Sequence, residues 1–331
     1  MNLKGKAVLV TGACGFIGSH LVEELVKEGA NVKAFVYYNS FGNWGWLDTL
    51  DSKVKESIEV FSGDVCSQDS LKEAFRGIEV VFNLAALIAI PYSYLTPSSY
   101  VRTNVEGTLN VLQLSLDFDL SRIIQVSTSE TYGTAQYVPI DEGHPMQAQS
   151  PYSASKIASD AITNSFIASF NLPVTIARPF NAYGPRQSAR AVIPTIISQI
   201  FSGREEITLG SPDPTRDFTF VKDTASGLRR LAESDEAIGK TINIGFGKEI
   251  SIRELALSIK EIANSKINIK FDSPERMRPK NSEVNRLLCD NTLLDEITGW
   301  TPNTSLENGL NQTLEWFEKN INSYKADLFN I

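Results

Sequence analysis

Histidine and cysteine are scarce in this chain of 331 residues, which contains only two histidines and three cysteines. His20 and His144 provide almost no material for a histidine-based catalytic triad or a zinc site. We therefore predict no bound metal, and we expect both histidines to be structural or surface residues. Cys14, Cys66 and Cys289 have neither disulfide nor metal spacing, which predicts a reducing, cytoplasmic location.

Long apolar segments and excess positive charge are also missing. No segment reaches the ~20 apolar residues that span a bilayer, and Gly12 interrupts the first apolar run too early for a signal peptide. Lys and Arg total 31 against 39 Asp and Glu, a net charge of −8. This balance argues against nucleic-acid or anionic-membrane partners. An anionic substrate would have to be held by local arginines.

A glycine-rich turn lies between a short apolar run, Ala7-Val-Leu-Val10, and an amphipathic stretch from Ser19 to Glu28. Strand, glycine-rich turn and helix in this order are typical of dinucleotide-binding proteins. Gly12 would make the tight turn, Gly15 would let the backbone approach a pyrophosphate, and Gly18 would permit close packing of helix and strand. The N-terminus of the helix would receive the anion. The candidate cofactor-binding residues here are Gly12, Gly15, Phe16, Ile17 and Gly18.

Strands and helices alternate along the first 180 residues. We predict strands at about 6–11, 31–37, 57–61, 79–84, 122–127 and 173–178, and helices near 15–29, 67–75, 98–117 and 151–169. The expected fold is α/β, a Rossmann-type doubly wound parallel sheet with a smaller C-terminal substrate-binding lobe. Residues 1–180 would form the NAD(P)-binding domain, to which the chain returns at about 217–250. Residues 181–216 and 251–331 would form the lobe.

A tyrosine–lysine pair suggests alcohol oxidation. Tyr152 and Lys156 are four residues apart, so on a helix they share a face, and the ammonium would favour the ionised phenol. Lowering a pKa of about 10 to neutrality needs roughly 4 kcal/mol. One unit charge at about 4 Å supplies an amount of that order. Tyr152 would then take a proton from an alcohol.

A second catalytic group follows the fifth predicted strand. Thr128, Ser129 and Glu130 stand just beyond Val126, at the carboxyl edge where doubly wound sheets bind ligands. Oxidation alone requires no second acid–base group, so Glu130 implies a further proton transfer.

Other cofactor contacts are expected at the ends of neighbouring strands. Asp64 and Val65 could meet the adenine, and Leu84, Ala85 and Ala86 could lie against a nicotinamide; ordinary loop chemistry explains both stretches equally well. The strand from Asn31 to Tyr37 ends without an acidic residue for a ribose 2′-hydroxyl or an arginine for a 2′-phosphate. NAD and NADP both fit, with Asn39 and Ser40 as ribose contacts.

Arginines in the second half indicate an anion site between the lobes. A guanidinium fork suits phosphate oxygens, although a single arginine is more often a solvated surface charge. Three clusters contain these arginines, around Arg186, around Arg216, and at Arg276 and Arg278. The candidate substrate-binding residues are Asn181, Arg186, Arg216, Arg278 and Glu283.

These motifs together resemble the extended short-chain dehydrogenase/reductase family, which contains nucleotide-sugar epimerases and dehydratases. Thr128-Ser-Glu130 with Tyr152-Ser-Ala-Ser-Lys156 looks like the nucleoside-diphosphate-hexose 4,6-dehydratases. The stretch from Tyr137 to Tyr152, with Arg278 to Glu283, is similar to the dehydratases of legionaminic-acid biosynthesis, which act on GDP-N-acetylglucosamine.

The resemblance implies a reaction at three carbons. Tyr152, helped by Thr128, would deprotonate the carbon 4 hydroxyl while hydride leaves to a tightly bound cofactor that is recycled. Glu130 would remove the carbon 5 hydrogen, water would leave carbon 6, and the hydride would return there. Ser129 stands where many relatives carry an aspartic acid that protonates the departing hydroxide. We therefore predict that Glu130 acts first as base and then as acid.

Three alternatives remain. A UDP-glucuronate-type decarboxylase also has Thr-Ser-Glu in this position but needs an extra cation for the substrate carboxylate. A nucleotide-sugar 4-epimerase has no use for Glu130. A dinucleotide-sensing regulator would not require Thr128, Tyr152 and Lys156. The apolar helices at 98–117 and 151–169 form a dimer interface in relatives, so we predict a homodimer.

Overall fold

The fold is known from a computed structural model, which describes residues 1–273 and 279–324. Seven parallel strands form its central sheet, in the order β10-β6-β5-β4-β1-β2-β3. These strands are β1 (Ala7–Thr11), β2 (Asn31–Tyr37), β3 (Ile58–Gly63), β4 (Val80–Asn83), β5 (Arg122–Val126), β6 (Val174–Pro179) and β10 (Thr241–Ile244). The predicted Rossmann-type doubly wound sheet is confirmed.

Helices cover both faces of this sheet, because its strands are apolar on both sides. Val8 and Val10 pack with Leu21 on one face, while Leu9 packs with Val111 on the other. This alternation follows the two-residue period of a strand. The helices are α1 (Phe16–Lys27), α2 (Ser52–Glu56), α3 (Gln68–Phe75), α4 (Ile90–Leu95), α5 (Pro97–Tyr100), α6 (Gly107–Asp117), α7 (Pro151–Phe170), α9 (Val221–Glu233) and α11 (Thr292–Thr298).

The remaining elements pack around a separate hydrophobic cluster that includes Ile196, Phe220, Leu255 and Phe317. Two small sheets belong to this part: β11 pairs antiparallel with β9, which pairs parallel with β7, and β12 pairs with β8. The elements are β7 (Asn181–Tyr183), β8 (Glu206–Thr208), β9 (Thr215–Phe220), β11 (Glu249–Ser251), β12 (Asn268–Lys270), α8 (Val192–Phe201), α10 (Ile252–Ile262) and α12 (Leu306–Asn320).

The six predicted strands all form, with ends that differ by at most two residues from those expected. The predicted helix at 98–117 is divided, because a π-helical turn, Val101–Glu106, joins α5 to α6. Strand β10, at the edge of the sheet, had no counterpart among the predicted strands.

Within the described residues, no helix combines the length and the apolar character that crossing a bilayer demands.

Candidate active site

A cavity of about 1150 Å³ opens at the carboxyl edge of the central sheet and extends to the elements after residue 180. Because all seven strands are parallel, their carboxyl ends meet at one edge. The order reverses at β1, which lies between β2 and β4, and this is the position where doubly wound sheets bind ligands.

The glycine-rich turn forms one wall of the cavity. Gly12 has φ +66°, and a Cβ there would lie 2.8 Å from the Ala85 nitrogen. A Cβ on Gly18 would collide with the Gly12 carbonyl oxygen. Gly15 is the N-cap of α1, no side chain caps that helix, and its first turn carries no acidic residue. The backbone N–H groups there suit a pyrophosphate, so this wall fits a dinucleotide.

The ends of β3 and β4 continue this wall. Five of the expected cofactor residues line the cavity: Asp64, Val65, Leu84, Ala85 and Ala86. The Thr11 hydroxyl accepts hydrogen bonds from the Leu84 and Ala85 N–H groups at 3.1 and 3.2 Å, which fixes the chain after β4 against the glycine turn.

Asn39 and Ser40, the expected ribose contacts, do not belong to the cavity lining. The Asn39 amide donates to the Asn43 carbonyl at 2.8 Å, so it closes its own surface loop. Tyr37, the last residue of β2, lines the cavity instead, and its side chain is exposed.

The structure brings all five candidate catalytic residues to the cavity: Thr128, Ser129, Glu130, Tyr152 and Lys156. A 3₁₀ turn, Ser129–Thr131, follows β5, and the Thr128 hydroxyl caps it by accepting from the Glu130 N–H at 3.2 Å. Helix α7 begins at Pro151 with Ser150 as its N-cap. The Ser153 hydroxyl donates to the Glu130 carbonyl at 2.7 Å, which ties the turn to the helix.

Burial controls the pKa values of Tyr152 and Lys156 in this structure. Burial raises the pKa of the Tyr152 phenol above its usual range; a hydrogen bond with Thr128 opposes this, and the charge of Glu130 adds to it. The Lys156 ammonium donates to the Val126 carbonyl at 2.7 Å. Burial lowers the pKa of Lys156 to about 8, although Asp160 opposes this. Desolvation dominates the pKa values of both groups in this structure, so the role of Lys156 in lowering the pKa of the phenol stays a prediction.

Lys156 should therefore reduce stability at neutral pH. Its folded-state pKa, about 8, lies below the ordinary 10.5, so the buried charge costs up to about 3 kcal/mol below pH 8. The folded chain binds fewer protons than the unfolded chain between these values, so this penalty disappears as pH rises through that window. We expect Lys156→Met to raise the free energy of unfolding by about 1–3 kcal/mol at pH 7, and by less at pH 9.5.

Denaturant unfolding of the wild type and of Lys156→Met, at about pH 7 and about pH 9.5, measures this difference in the free energy of unfolding. A variant less stable than the wild type at pH 7 would show that the Val126 hydrogen bond outweighs the desolvation of Lys156.

The part of the cavity lined by residues after 180 contains three of the predicted substrate-binding residues, Asn181, Arg216 and Glu283. Arg216 donates to a Glu283 carboxylate oxygen at 3.3 Å, and its side chain is buried. The Asn181 side-chain oxygen is buried without a hydrogen-bond partner. The buried arginine suits an anionic group of a ligand, and the unused amide oxygen suits a ligand hydroxyl or N–H donor. Arg276 and Arg278 lie outside the described residues.

Arg186 is not part of the cavity, contrary to prediction. Its guanidinium is buried and forms an ion pair with Glu23 of α1 at 2.7 Å. Although burial opposes it, contacts with His20 and Arg186 lower the pKa of Glu23 to about 2. Arg186 therefore joins the loop after β7 to α1.

Arg190 lines the cavity four residues further on, and sequence reasoning missed it. Its guanidinium donates to the Ser188 hydroxyl at 3.1 Å. Tyr92 and Tyr94 of α4 also line the cavity. Nothing in the local pattern separated Arg190 from Arg186, because both lie in one irregular arginine-containing loop.

Comparisons with known proteins extend over nearly the whole chain. Residues 9–313 match the family described as GDP-mannose 4,6 dehydratase. A UDP-N-acetyl-alpha-D-glucosaminuronate decarboxylase from Bacillus cytotoxicus is 32% identical, over 95% of this chain and 98% of that protein.

Two solved structures are similar in fold. A UDP-N-acetylglucosamine 4-epimerase from Methanobrevibacter ruminantium, in complex with UDP-N-acetylmuramic acid, is 31% identical with a TM-score of 0.86, covering 96% of this chain and 99% of that one. A dTDP-glucose 4,6-dehydratase from Streptomyces venezuelae with NAD bound is 26% identical with a TM-score of 0.86, covering 96% and 99%.

Proposed function

This chain belongs to the GDP-mannose 4,6-dehydratase family, and from that membership we propose that it is an NAD(P)-dependent nucleoside-diphosphate-hexose 4,6-dehydratase. The proposal depends on one observation above all, the carboxylate of Glu130 in the cavity that Tyr152 also lines. Oxidation at carbon 4 needs a single proton acceptor. Elimination of water across carbons 5 and 6 needs a second acid–base group, which Glu130 provides.

The cofactor is NAD or NADP, and the chemistry that it supplies when bound is reversible hydride acceptance. The glycine turn from Gly12 to Gly18 would hold its pyrophosphate, and the chain from Leu84 to Ala86 would support the nicotinamide half. The added positive charge of an oxidised nicotinamide would lower the pKa of the buried Tyr152 phenol, a shift that Lys156 alone does not achieve in this structure. We propose that the cofactor stays bound and is recycled in each turnover.

Three side chains then carry the proton transfers. Tyr152, with the Thr128 hydroxyl beside it, takes the proton of the carbon 4 hydroxyl. The ketone formed at carbon 4 acidifies the hydrogen on carbon 5, and the Glu130 carboxylate removes it. The protonated Glu130 then gives its proton to the hydroxide that leaves carbon 6, so one carboxyl group serves as base and acid. The return of the hydride to carbon 6 requires one proton at carbon 5, and this proton balances the one that Tyr152 took from the carbon 4 hydroxyl.

Ser129 has a small part in this mechanism, because a serine hydroxyl donates hydrogen bonds but is a poor acid near neutral pH. We expect Ser129→Ala to lower kcat for water loss by less than about tenfold and to leave oxidation at carbon 4 unchanged. Product mass by chromatography and mass spectrometry measures both steps. If Ser129→Ala abolished elimination while oxidation continued, the double role of Glu130 would be wrong.

We propose GDP-N-acetylglucosamine as the substrate. We call the part of the cavity lined by residues after 180 its substrate half. Buried Arg216 there supports the diphosphate, and the unused oxygen of Asn181 supports a sugar or ribose hydroxyl that donates to it. Support for the guanine base and the 2-acetamido group comes from the resemblance of the 137–152 and 278–283 stretches to the legionaminic-acid dehydratases. We also propose that residues 181–216 and 251–331 form the substrate-binding lobe.

A second candidate is a nucleotide-sugar decarboxylase. Arg190 favours it, because it places in the cavity a further cation of the kind a uronic-acid carboxylate requires. Incubation with GDP- and UDP-linked N-acetylglucosamine and with UDP-glucuronate separates the candidates. Loss of water identifies a dehydratase, loss of carbon dioxide a decarboxylase, and an isomer of unchanged mass an epimerase. If no substrate changes, the non-enzymatic dinucleotide sensor becomes the better account.

We further propose a cytoplasmic homodimer. Its interface would involve α6 and α7, where Leu109 and Phe170 are 39% and 52% exposed. The three unpaired cysteines support the cytoplasmic location. A monomeric mass by light scattering at micromolar concentration would reject the dimer.

A further inference from the structure

Two stretches that resemble the narrower dehydratase group, 137–152 and 279–283, meet in the fold, where Gln149 contacts Asn281 and Glu283, 132 and 134 positions later in the chain. Their meeting point is Gln149, which directly precedes the N-cap of the helix that carries Tyr152. Gln149 does not line the cavity. Any effect of its side chain on the reaction must therefore act through its neighbours.

The Gln149 side chain contacts both sides of the site. Its oxygen accepts from the Thr134 N–H at 2.5 Å. Thr134 lies just beyond the 3₁₀ turn Ser129–Thr131, which we call the catalytic turn. The Gln149 side-chain nitrogen donates to the Asn281 carbonyl at 3.1 Å and to the Glu283 carbonyl at 3.3 Å. The amide is used as donor and acceptor at once, which the side chain of glutamate cannot reproduce when ionised.

Backbone and neighbouring groups complete the same connection. The Gln149 carbonyl accepts from the Ser282 hydroxyl at 2.6 Å, and that hydroxyl also lies 2.5 Å from the Tyr94 hydroxyl. Gly133 makes room for the amide, because a Cβ there would lie 2.6 Å from the Gln149 side-chain oxygen. The close approach and the number of hydrogen bonds leave this amide a single orientation.

The segment that Gln149 holds contributes directly to the substrate half of the cavity. Pro279 and Glu283 line it, and the Glu283 carboxylate accepts from Arg216. Gln149 binds the main chain of Glu283 itself, so it sets where that carboxylate can reach.

We propose that Gln149 is a positioning residue for the sugar nucleotide: its amide fastens the 279–283 segment to the chain that follows the catalytic turn and so determines substrate affinity, while the chemistry at Tyr152 and Glu130 proceeds without it. The proposal rests on the proposed function for its substrate. Its contacts predict a rise in KM and little change in kcat, whereas general damage to the active site would lower kcat.

Gln149→Glu is the sharpest test, because it keeps the size and the acceptor while placing a carboxylate against two carbonyl oxygens. We expect KM for the sugar nucleotide to rise about tenfold or more, the equivalent of ~1.4 kcal/mol, with kcat within about threefold of the wild type. Gln147→Glu is the matched control: this exposed glutamine lies two residues earlier, and we expect its KM to stay within about twofold.

Binding of GDP and UDP to the NAD-loaded wild type and variants, by calorimetry, separates this proposal from the proposed function. If the wild type turns over no sugar nucleotide, the proposed function fails. The Kd of Gln149→Glu for GDP or UDP, divided by that of the wild type, still tests the role of Gln149. An unchanged KM and Kd in folded Gln149→Glu, or a collapse of kcat at unchanged KM, would overturn the proposal. Should that variant fail to fold, Gln149→Asn, which withdraws the same amide by one methylene, must show the rise in KM, and an unchanged KM would overturn the proposal equally.

Discussion

Replacing Tyr152 with phenylalanine is expected to lower kcat about 10³-fold, within the range that a positioned proton acceptor contributes. The ring is buried, so phenylalanine keeps its packing against Tyr100, whose ring centroid lies 6.2 Å away. The change removes the proton acceptor for the carbon 4 hydroxyl, and KM should stay within about threefold. Steady-state rates of product formation, followed by chromatography, measure the effect.

Tyr132→Phe is the matched control for this variant. Tyr132 is also fully buried, and its hydroxyl donates to Asn243 at 2.8 Å outside the cavity. The Tyr132→Phe variant should therefore have a kcat within about threefold of the wild-type value when both are compared at the same concentration of folded protein. If Tyr152→Phe retained more than a tenth of wild-type kcat, Tyr152 would not be the base.

Glu130→Gln has the second large effect, and it should separate oxidation from elimination. Glutamine has the same shape but cannot take the carbon 5 proton, so we expect the rate of water loss to fall about 10³-fold. Oxidation at carbon 4 should continue, because Tyr152 and Thr128 are intact. Trapping with borodeuteride and mass spectrometry would then reveal a 4-keto sugar that has kept its carbon 6 hydroxyl.

Glu142→Gln is the control, because Glu142 is a partly buried carboxylate that accepts from the Asn243 N–H and lies outside the cavity. Its product should match that of the wild type. Continued water loss by Glu130→Gln at the wild-type rate would show that Glu130 is not the base that removes the carbon 5 proton.

The first six strands could be predicted because each is a short apolar run with glycine, polar or charged residues at its ends. Strand β10 could not, since its four residues pair with β6 about 65 positions earlier in the chain. A run this short does not encode its partner. The π-helical turn before α6 also escaped prediction; Asn104 within it is buried and bonds to the Leu87 main chain, a contact between distant residues.

The turn that carries Glu130 and the glycine-rich wall could be predicted to lie at one edge of the sheet because their residues are adjacent in sequence and follow strand ends. The substrate side was less predictable. Arg186 and Arg190 look equivalent in sequence, and what separates them is Glu23, 163 residues before Arg186, which draws Arg186 into an ion pair. Similarly, helical spacing placed Tyr152 and Lys156 on one face but contained no information on their burial or on the Val126 carbonyl.

The fate of the hydrogen on carbon 4 distinguishes this reaction from the alternatives. GDP-N-acetylglucosamine with deuterium at carbon 4 should give a 4-keto-6-deoxy product that carries one deuterium in its new methyl group. A product methyl group without that deuterium, or a product that still carries it at carbon 4, would contradict the 4,6-dehydratase mechanism.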